Sequence, residues 1–297
     1  MSRGQSRQTS GPEAVSVLQG DAFALLGGVA DASVDLVLTS PPYWGLRTYG
    51  HEHNPKLLEA WRRKCAREGT EPVTPPTWEW YQKHNGVLGL EPYPEWYVAH
   101  LAHFFGEVRR VIKPRGSLWL NLGDTYFARW SSLREDGRQG LVNTERARRK
   151  TPAGGWRQDK QLMMIPARVA IAMQEEGWIL RNDVIWRKSQ AAPRPETDRL
   201  RNVHEHFFHF VKRPPQGRAS YHYDLAMVEA GAVDVVDHPL GRSRDKHSAT
   251  FPESLIRARI LSSCPPGGLV LDPFCGTGRT LEVALSEGRR SIGFELS

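Results

Sequence analysis

Two short segments near opposite ends of this 297-residue chain contain the residue types that could do chemistry. The first, Thr39-Ser40-Pro41-Pro42-Tyr43, directly follows the apolar run from Val34 to Leu38. The second, from Asp272 to Thr280, reads Asp-Pro-Phe-Cys-Gly-Thr-Gly-Arg-Thr and directly follows a short apolar run ending at Leu271. Short apolar runs bounded by turn residues are typical of buried strands. We therefore predict that both segments lie at strand ends.

The glycine-rich segment is suited to holding a ligand. A glycine turn that opens a helix lets the backbone approach a nucleotide-like group closely. The segment lacks the Gly-Lys-Ser/Thr of a phosphate-binding loop and the three-glycine dinucleotide spacing. Glu295 ends the next predicted strand, where it could accept hydrogen bonds from ribose hydroxyls. Because a carboxylate repels phosphate, a nucleoside-type cofactor is favoured. The alternative is a tight turn without a ligand and a solvated charge at Glu295.

The proline-rich segment has the groups needed to activate an amine. The amino group of a nucleobase is a poor nucleophile because its lone pair is delocalised into the ring. Ser40 Oγ and the Pro41 carbonyl could accept its two hydrogens, and proline has no N–H with which to continue a strand ladder. Tyr43 could stack on an extruded base. The alternative for this segment alone is a strand that ends at proline beside a packed tyrosine. Together, the two segments indicate group transfer to a nucleobase.

Apolar periodicity predicts the elements that position these segments. Strands alternate with helices along the chain, which favours an α/β fold with a mostly parallel sheet. We expect a disordered leader over residues 1–13 and one catalytic domain over residues 14–297. The remaining predicted strands are Val15–Leu18, Ser117–Leu122, Trp178–Trp186, Asn202–Lys212 and Ser291–Glu295, and the predicted helices include Ala22–Leu26, Leu57–Arg67, Pro94–Val111, Ile165–Glu176 and Phe251–Cys264.

Composition limits the class of protein. The net charge of +7 and the sequence pI of about 9.4 suit a polyanionic partner. The chain has no apolar run near ~20 residues, so no membrane span is expected, and residues 1–13 lack the apolar centre of a signal peptide. The three cysteines are widely spaced, which argues against a disulfide framework or a zinc site and fits a reducing cytoplasm. We expect no metal, and we interpret His51 and His53 as part of a polar loop.

The chain resembles the amino-methylating DNA methyltransferases that use S-adenosylmethionine. The motifs follow one another along the chain in the permuted β-type order of this family, in which the catalytic motif precedes the cofactor loop. The segment around Ser40 is similar to the family's catalytic motif, in the version more typical of cytosine-N4 than of adenine-N6 enzymes. The resemblance implies a Rossmann-like methyltransferase fold with permuted strand order. It implies catalytic roles for Ser40, Pro41, Pro42 and Tyr43, and cofactor contacts from Asp21, Thr250, Phe251, Asp272, Pro273, Phe274, Gly276, Thr277, Gly278, Thr280 and Glu295.

Further segments extend the resemblance over most of the chain. Gly20-Asp21 is similar to the motif whose carboxylate reaches the cofactor adenine, and Lys246–Pro252 to the segment that closes over its methionine end. Trp186-Arg187-Lys188, with Arg201 and His204-Glu205, is similar to a later sheet motif. Family members usually continue past the ribose-binding acid into a helix, whereas this chain ends two residues after Glu295.

The resemblance implies site-specific methylation of the N4 amine of a flipped cytosine in double-stranded DNA, with no cysteine nucleophile. The basic loop over residues 129–160 is expected to be flexible and to order on phosphates; the alternative is a solvated loop without a partner. Residues 213–245, expected to be irregular, lie where the family places target recognition. The 45–92 insert is a second recognition element or a dimer surface, and a homodimer and a cognate restriction nuclease stay open as partners. The alternatives are adenine-N6 methylation, a catalytically silent DNA-binding homologue, and methylation of RNA or protein.

Overall fold

The computed structural model describes residues 14–45, 54–127, 130–133, 139–140, 149–150, 152–189, 197–228, 233–239 and 252–296. The predicted leader lies outside these ranges. No helix within them is long and apolar enough to cross a membrane. The helices are α1 (Ala22–Gly27), α2 (Pro55–Glu68), α3 (Trp78–Lys83), α4 (Pro94–Val111), α5 (Ile165–Glu175), α6 (Glu253–Ser263) and α7 (Arg279–Ser286).

The strands form one large sheet and one small sheet. They are β1 (Val15–Gln19), β2 (Val34–Thr39), β3 (Ile112–Leu122), β4 (Trp130–Leu133), β5 (Gln139–Gly140), β6 (Arg149–Lys150), β7 (Trp178–Lys188), β8 (His204–Lys212), β9 (Val235–His238), β10 (Leu269–Asp272) and β11 (Arg290–Glu295). The large sheet has the order β1-β11-β10-β2-β3-β8-β7-β9. Every neighbouring pair in it is parallel except the two that involve β8, which runs antiparallel to β3 and β7. The predicted α/β fold with a mostly parallel sheet is therefore confirmed.

The strand order is permuted relative to the chain. β10 comes late in the sequence but lies inside the sheet, between β11 and β2, with Val270 opposite Leu36 and Leu271 opposite Val37. This pairing places the end of the strand before the glycine loop beside the end of the strand that carries the proline-rich turn. The two motifs are far apart in the sequence, and the fold makes them neighbours.

Helices cover both faces of the sheet, and the side chains of the central strands alternate between them. Val37 belongs to the core cluster that includes residues of α1 to α5, whereas Leu36 and Leu38 belong to the cluster that includes residues of α6 and α7. The alternation follows from the period of two along a strand. Because both faces are buried, all six residues of β2 are buried and four of them are apolar, as expected for a central parallel strand.

The described part of the 45–92 insert is helical and belongs to the main core. The predicted basic helix is α2. Asn54 caps its start, where the Asn54 side chain accepts from Lys56 N at 3.1 Å, and Gly69 with φ +68° caps its end. Trp61 of α2 packs edge-on against Trp96 of α4, with ring centroids 5.8 Å apart. The aromatic residues of the insert therefore bury α2 and α3 against α4.

Two predicted loops contain strands. Within residues 129–160, β4 pairs antiparallel with β5 and β6, so the prediction of a loop is wrong for those residues. Within residues 213–245, the strand β9 pairs parallel with β7, which corrects the expectation of an irregular segment. Strands of two to four residues are too short to show an alternating pattern in sequence. Other parts of both segments lie outside the described residues.

Candidate active site

The carboxyl ends of β2 and β10 meet at the point where the chain connections leave toward opposite sides of the sheet. From β10 the chain passes through α7 to β11 on one side, and from β2 it passes through α4 to β3 on the other. Ligands of open α/β sheets bind in the crevice at such a switch point. Here Thr39 Oγ1 donates to Asp272 Oδ1 at 2.6 Å, in a buried contact between residues 233 positions apart. The structure therefore brings the two predicted motifs together.

Asp272 is a buried acid held by local donors. Besides the Thr39 hydroxyl, its Oδ1 accepts from Phe274 N at 3.2 Å, and the Thr280 hydroxyl also bonds to this carboxylate. Burial nevertheless raises the pKa of Asp272 to about 6, because desolvation outweighs these hydrogen bonds and Glu295 adds negative charge. The side chain thus fixes the start of the glycine loop and ties it to β2.

The glycine loop leaves open space above the start of α7. Gly276 and Gly278 have φ of +50° and +78°, and a Cβ atom at either position would meet nothing within 4 Å. Gly278 caps α7 without a side-chain hydrogen bond. Thr277 between them is exposed, whereas Pro273 is buried and Phe274 packs against Phe104 with ring centroids 5.1 Å apart. The loop is anchored by its first residues and presents its glycines outward.

Cys275 lies inside the glycine loop but faces the protein. It is buried, and its backbone N–H donates to the Phe294 carbonyl at 3.0 Å. Burial raises the pKa of the Cys275 thiol to about 12. Because the thiolate is the nucleophilic form, a thiol that stays protonated at neutral pH is a packing group.

Two further acids stand at the same edge of the sheet. Glu295 ends β11 and Asp21 follows β1, and the Gly20 N–H donates to the Glu295 carbonyl at 2.9 Å. Asp21 Oδ1 accepts from Ala24 N at 3.1 Å and so caps α1. Both side chains are half-buried. Three adjacent strands, β1, β11 and β10, therefore each place a carboxylate at the carboxyl edge beside the glycine loop.

A chain of hydrogen bonds runs outward from the proline-rich turn. Ser40 Oγ donates to the Tyr43 hydroxyl at 3.2 Å. That hydroxyl lies 2.5 Å from Asn121 Oδ1 and 2.9 Å from Glu205 Oε2, so its single proton has two acceptors. Glu205 in turn pairs with Lys188. Strands β2, β3, β7 and β8 thus all contribute a polar side chain to this end of the sheet.

Tyr43 is held as a neutral phenol. Burial and the Glu205 charge raise its pKa well above 10. Its ring lies against Gly123, where a Cβ atom would come within 2.7 Å of Tyr43 Cε2. The residue therefore has one ring edge fixed by backbone and its hydroxyl fixed by Asn121 and Glu205, so that it sets the orientation of the turn.

The 87–91 segment supports the turn from below. Tyr97 Oη donates to the Pro42 carbonyl at 2.9 Å, Gly45 N donates to the Gly89 carbonyl at 2.8 Å, and Trp44 Nε1 donates to the Glu91 carbonyl at 3.0 Å. The Tyr97 hydroxyl satisfies a carbonyl of the turn, whose two successive prolines supply no N–H, whereas Gly45 and Trp44 donate from the end of the turn to carbonyls of the 87–91 segment. The backbone of Pro41 and Pro42 is thereby fixed relative to α4.

A buried acid and histidine hold the supporting segment itself. Glu91 is fully buried; its Oε2 accepts from Gly89 N at 2.8 Å, and its Oε1 lies 3.2 Å from His100 Nδ1. The other ring nitrogen of His100 lies 3.1 Å from the Pro76 carbonyl. Removing one member would leave a buried polar group without its partner, which is costly. This pair therefore connects the insert to the proline-rich turn.

The sequence did not single out several of these residues for the turn. Thr39, Asn121, Glu91 and His100 had no role assigned, and Glu205 appeared only within a later sheet motif. Asn121 had one available signal, because it is a polar residue at the end of the predicted strand Ser117–Leu122. Glu91 and His100 had none, since a long-range contact made them partners.

Some predicted residues lie outside the described ranges. Thr250 and Phe251, expected to contact the cofactor, fall there, as do His51 and His53. Across the residues with described positions, no group of three or more histidines, cysteines or acids is arranged to hold a metal ion.

Comparison with known proteins identifies the family. The family model described as DNA methylase, for the N6/N4 type, matches residues 34–297. The Type II methyltransferase M.Cfr9I of Citrobacter freundii is 32% identical over 293 residues, which cover 95% of this chain and 83% of the relative. M.XycI of Xanthomonas campestris pv. cyanopsidis is 33% identical over the same share of each chain. M.SmaI of Serratia marcescens is 31% identical over 95% of this chain and 86% of its own.

Solved structures with low sequence identity share the fold. The PvuII cytosine-N4-specific DNA methyltransferase aligns with a TM-score of 0.62 at 20% identity, covering 96% of this chain and 84% of its own. TTHA0409 of Thermus thermophilus, solved in complex with S-adenosyl-L-methionine, aligns with a TM-score of 0.54 at 21% identity, covering 95% and 89%. The match of the family model over most of the chain, together with the three relatives above 30% identity, shows that this protein belongs to the N6/N4 DNA methylase family.

Proposed function

We propose that this protein transfers the methyl group of S-adenosyl-L-methionine to the exocyclic N4 amine of a flipped cytosine in double-stranded DNA, as the modification enzyme of a Type II system. The observation that carries the proposal is the state of Ser40. Its hydroxyl proton has two acceptors within the protein, the Tyr43 hydroxyl at 3.2 Å and Asn121 Oδ1 at 3.4 Å, which leaves its lone pairs to accept a hydrogen from an amine in the crevice. Thr39, the preceding residue, is bonded directly to the start of the glycine loop.

The crevice has room and donors for a nucleoside cofactor. A Cβ atom at Gly276 or Gly278 would meet nothing within 4 Å, so the space beside the loop is open, and the first amides of α7 have no side-chain cap. Glu295 would accept from the ribose hydroxyls, and Asp21, next along the same edge, from the adenine amine. S-adenosyl-L-methionine supplies a methyl group on a sulfonium, which is already activated for transfer. The absence of a Lys-Ser/Thr pair in the loop suits a cofactor without phosphates.

The chain's own residues would prepare the amine. Ser40 Oγ and the Pro41 carbonyl accept its two hydrogens, which draws the nitrogen lone pair out of conjugation with the ring. Tyr43 keeps its proton, because burial raises its pKa well above 10, and therefore remains a donor in the chain from Ser40 to Glu205. Such groups act by positioning and by preorganised hydrogen bonds, which need no covalent intermediate. Cys275 has no part in the chemistry.

The preference for cytosine rests on the serine at position 40, and the PvuII neighbour with the same fold is cytosine-N4-specific by title. Adenine-N6 methylation by the same groups is the alternative. Both amines are exocyclic, and the same two acceptors could receive their hydrogens. Three relatives above 30% identity are Type II methyltransferases by name, which supports a partner nuclease as part of the proposal.

Transfer of tritium from labelled S-adenosyl-L-methionine to unmethylated genomic DNA tests the proposal. The DNA would be digested to nucleosides and the labelled nucleoside identified by mass. Label in N4-methylcytosine is expected. Label in N6-methyladenine would keep the mechanism and overturn the base, whereas no label, with cofactor binding measured separately by calorimetry, would refute the proposal.

A further inference from the structure

Leu200, four residues before the start of β8, presents its side chain to solvent. Leu200 is 91% exposed, and the other exposed large apolar side chains among the described residues range from 38% to 67%. A single exposed apolar residue is ordinary on a protein surface. Leu200 differs in two ways. It lies between Arg199 and Arg201, and its backbone lies near the proline-rich turn.

Leu200 lies on the same rim as the catalytic turn. It precedes Glu205 by five residues, and Glu205 Oε2 is 2.9 Å from the Tyr43 hydroxyl. Since an extended chain spans at most about 3.6 Å per residue, the Leu200 backbone lies within about 18 Å of that of Glu205. Because Glu205 is linked through Tyr43 to Ser40, Leu200 is within reach of a duplex whose target base enters the crevice at Ser40.

The backbone beside Leu200 is anchored to the rest of the rim. Asp198 forms an ion pair with Lys160 at 2.6 Å, and the Arg199 guanidinium lies over the Tyr126 ring, 3.9 Å from its centroid. Arg199 Nη1 also donates to the Leu200 carbonyl at 3.1 Å. Tyr126 belongs to the segment that follows β3, which also supplies Asn121 to the turn. The backbone beside Leu200 is therefore held by Lys160 and by Tyr126 of the segment that follows β3, while the leucine side chain is exposed to solvent.

We propose that Leu200 inserts into the DNA duplex and fills the space that the flipped target base leaves. This inference rests on the proposed function. Apolar side chains inserted between base steps stabilise unstacked DNA, and extruding a base is easiest when it is already mispaired. Insertion would remove the leucine side chain from water. Arg199 and Arg201 add positive charge beside the phosphates on each side.

The test compares paired and mispaired targets. Sequencing of the methylated genomic DNA locates the modified base, and two oligonucleotide duplexes are then made, one with that base paired and one with it mismatched. Leu200→Ala is expected to lower the single-turnover methylation rate at least about tenfold on the paired duplex, which is about 1.4 kcal/mol in the barrier. On the mismatched duplex we expect less than about a threefold loss, because that base leaves the stack more easily.

Two controls accompany this variant. Ile171→Ala removes a 57% exposed apolar side chain from α5 and is expected to leave both rates unchanged. Leu200→Met keeps an apolar side chain of similar volume and is expected to retain most of the rate on the paired duplex. A fluorescent adenine analogue placed next to the target should brighten with the wild-type protein and less with Leu200→Ala.

The outcomes separate this inference from the proposed function. If the wild-type protein methylates DNA and Leu200→Ala matches it on both duplexes, or loses rate equally on both, insertion is refuted and the proposed function stands. If the wild-type protein transfers no methyl group to DNA, both are overturned. A loss confined to the paired duplex supports insertion, whichever base is modified.

Discussion

Replacing Thr39 with valine would remove the hydroxyl that β2 donates to the Asp272 carboxylate while keeping the shape of the side chain. Thr39 is 0% exposed and Asp272 is 3% exposed, so water cannot substitute for the lost donor. A hydrogen bond to a charged group contributes about 1.5–3 kcal/mol, and one between neutral groups about 1 kcal/mol. We therefore expect Thr39→Val to lower the free energy of unfolding by about 2 kcal/mol where Asp272 is ionised.

The loss should depend on pH. Burial raises the pKa of Asp272 to about 6 in the folded protein, against about 3.9 in the unfolded chain. The folded state therefore binds the proton more tightly, and the contribution of Asp272 to stability falls as pH rises from about 4 through 6. Without Thr39 the folded pKa rises further. The cost of Thr39→Val is thus expected to be about 1 kcal/mol at pH 5, where Asp272 is mostly protonated, and about 2 kcal/mol at pH 8.

Urea unfolding at pH 5 and pH 8 measures this difference. Thr39→Ser is the matched control, because it keeps the hydroxyl and loses a buried methyl group, which costs about 0.8 kcal/mol at both pH values. An equal loss for Thr39→Val at the two pH values would refute the reasoning. So would a Thr39→Ser variant that shows the same pH dependence as the valine variant.

Variants at four further residues test roles in the site. Ser40→Ala should lower the methylation rate by at least about a hundredfold, since it removes a preorganised acceptor, with the cofactor Kd unchanged in calorimetry; equal loss of both would contradict the assigned role. Glu205→Gln should lower the turnover number about tenfold with little change in KM, because it weakens the acceptor that orients Tyr43. If Glu205→Asp has the stability of the wild-type protein but a rate as low as that of Glu205→Gln, Glu205 acts by positioning Tyr43 and not through folding. Glu295→Gln should weaken cofactor binding by about tenfold and leave the rate at saturating cofactor nearly unchanged, which a titration of rate against cofactor concentration would check. Cys275→Ala should retain turnover, and complete loss with cofactor binding intact would show that the thiol takes part in the chemistry.

Local pattern was sufficient where a helix or strand is long and one face is buried. The predicted helix Pro94–Val111 is α4 with the same bounds, because its apolar residues recur at the period of a helix and all pack on one core. The short strands β4, β5, β6 and β9 were missed, since two to four residues show no alternation, and β9 is held by pairing with β7 rather than by burial of its own side chains.

The same distinction between local pattern and long-range contact applies to the residues of the site. The residues proposed to do the chemistry are adjacent in sequence, so Ser40 to Tyr43 and Asp272 to Thr280 could be recognised as turns at strand ends. The residues that fix them are distant: Tyr43 meets Glu205, 162 positions away, and Asn121, 78 positions away. Such contacts depend on which strands are neighbours and in what register, and no local pattern encodes either.

By itself, the sequence determined the two chemical motifs, the alternation of strands and helices, and the carboxylates at the strand ends. Those features depend on residue type and short-range spacing, which the backbone follows directly. Only the tertiary structure decided that β10 lies beside β2, that Thr39 bonds to Asp272, and that a chain of hydrogen bonds leads from Ser40 to Glu205. The physical reason is that strand order is settled by the packing of both faces of the sheet at once, which sums contacts over the whole chain.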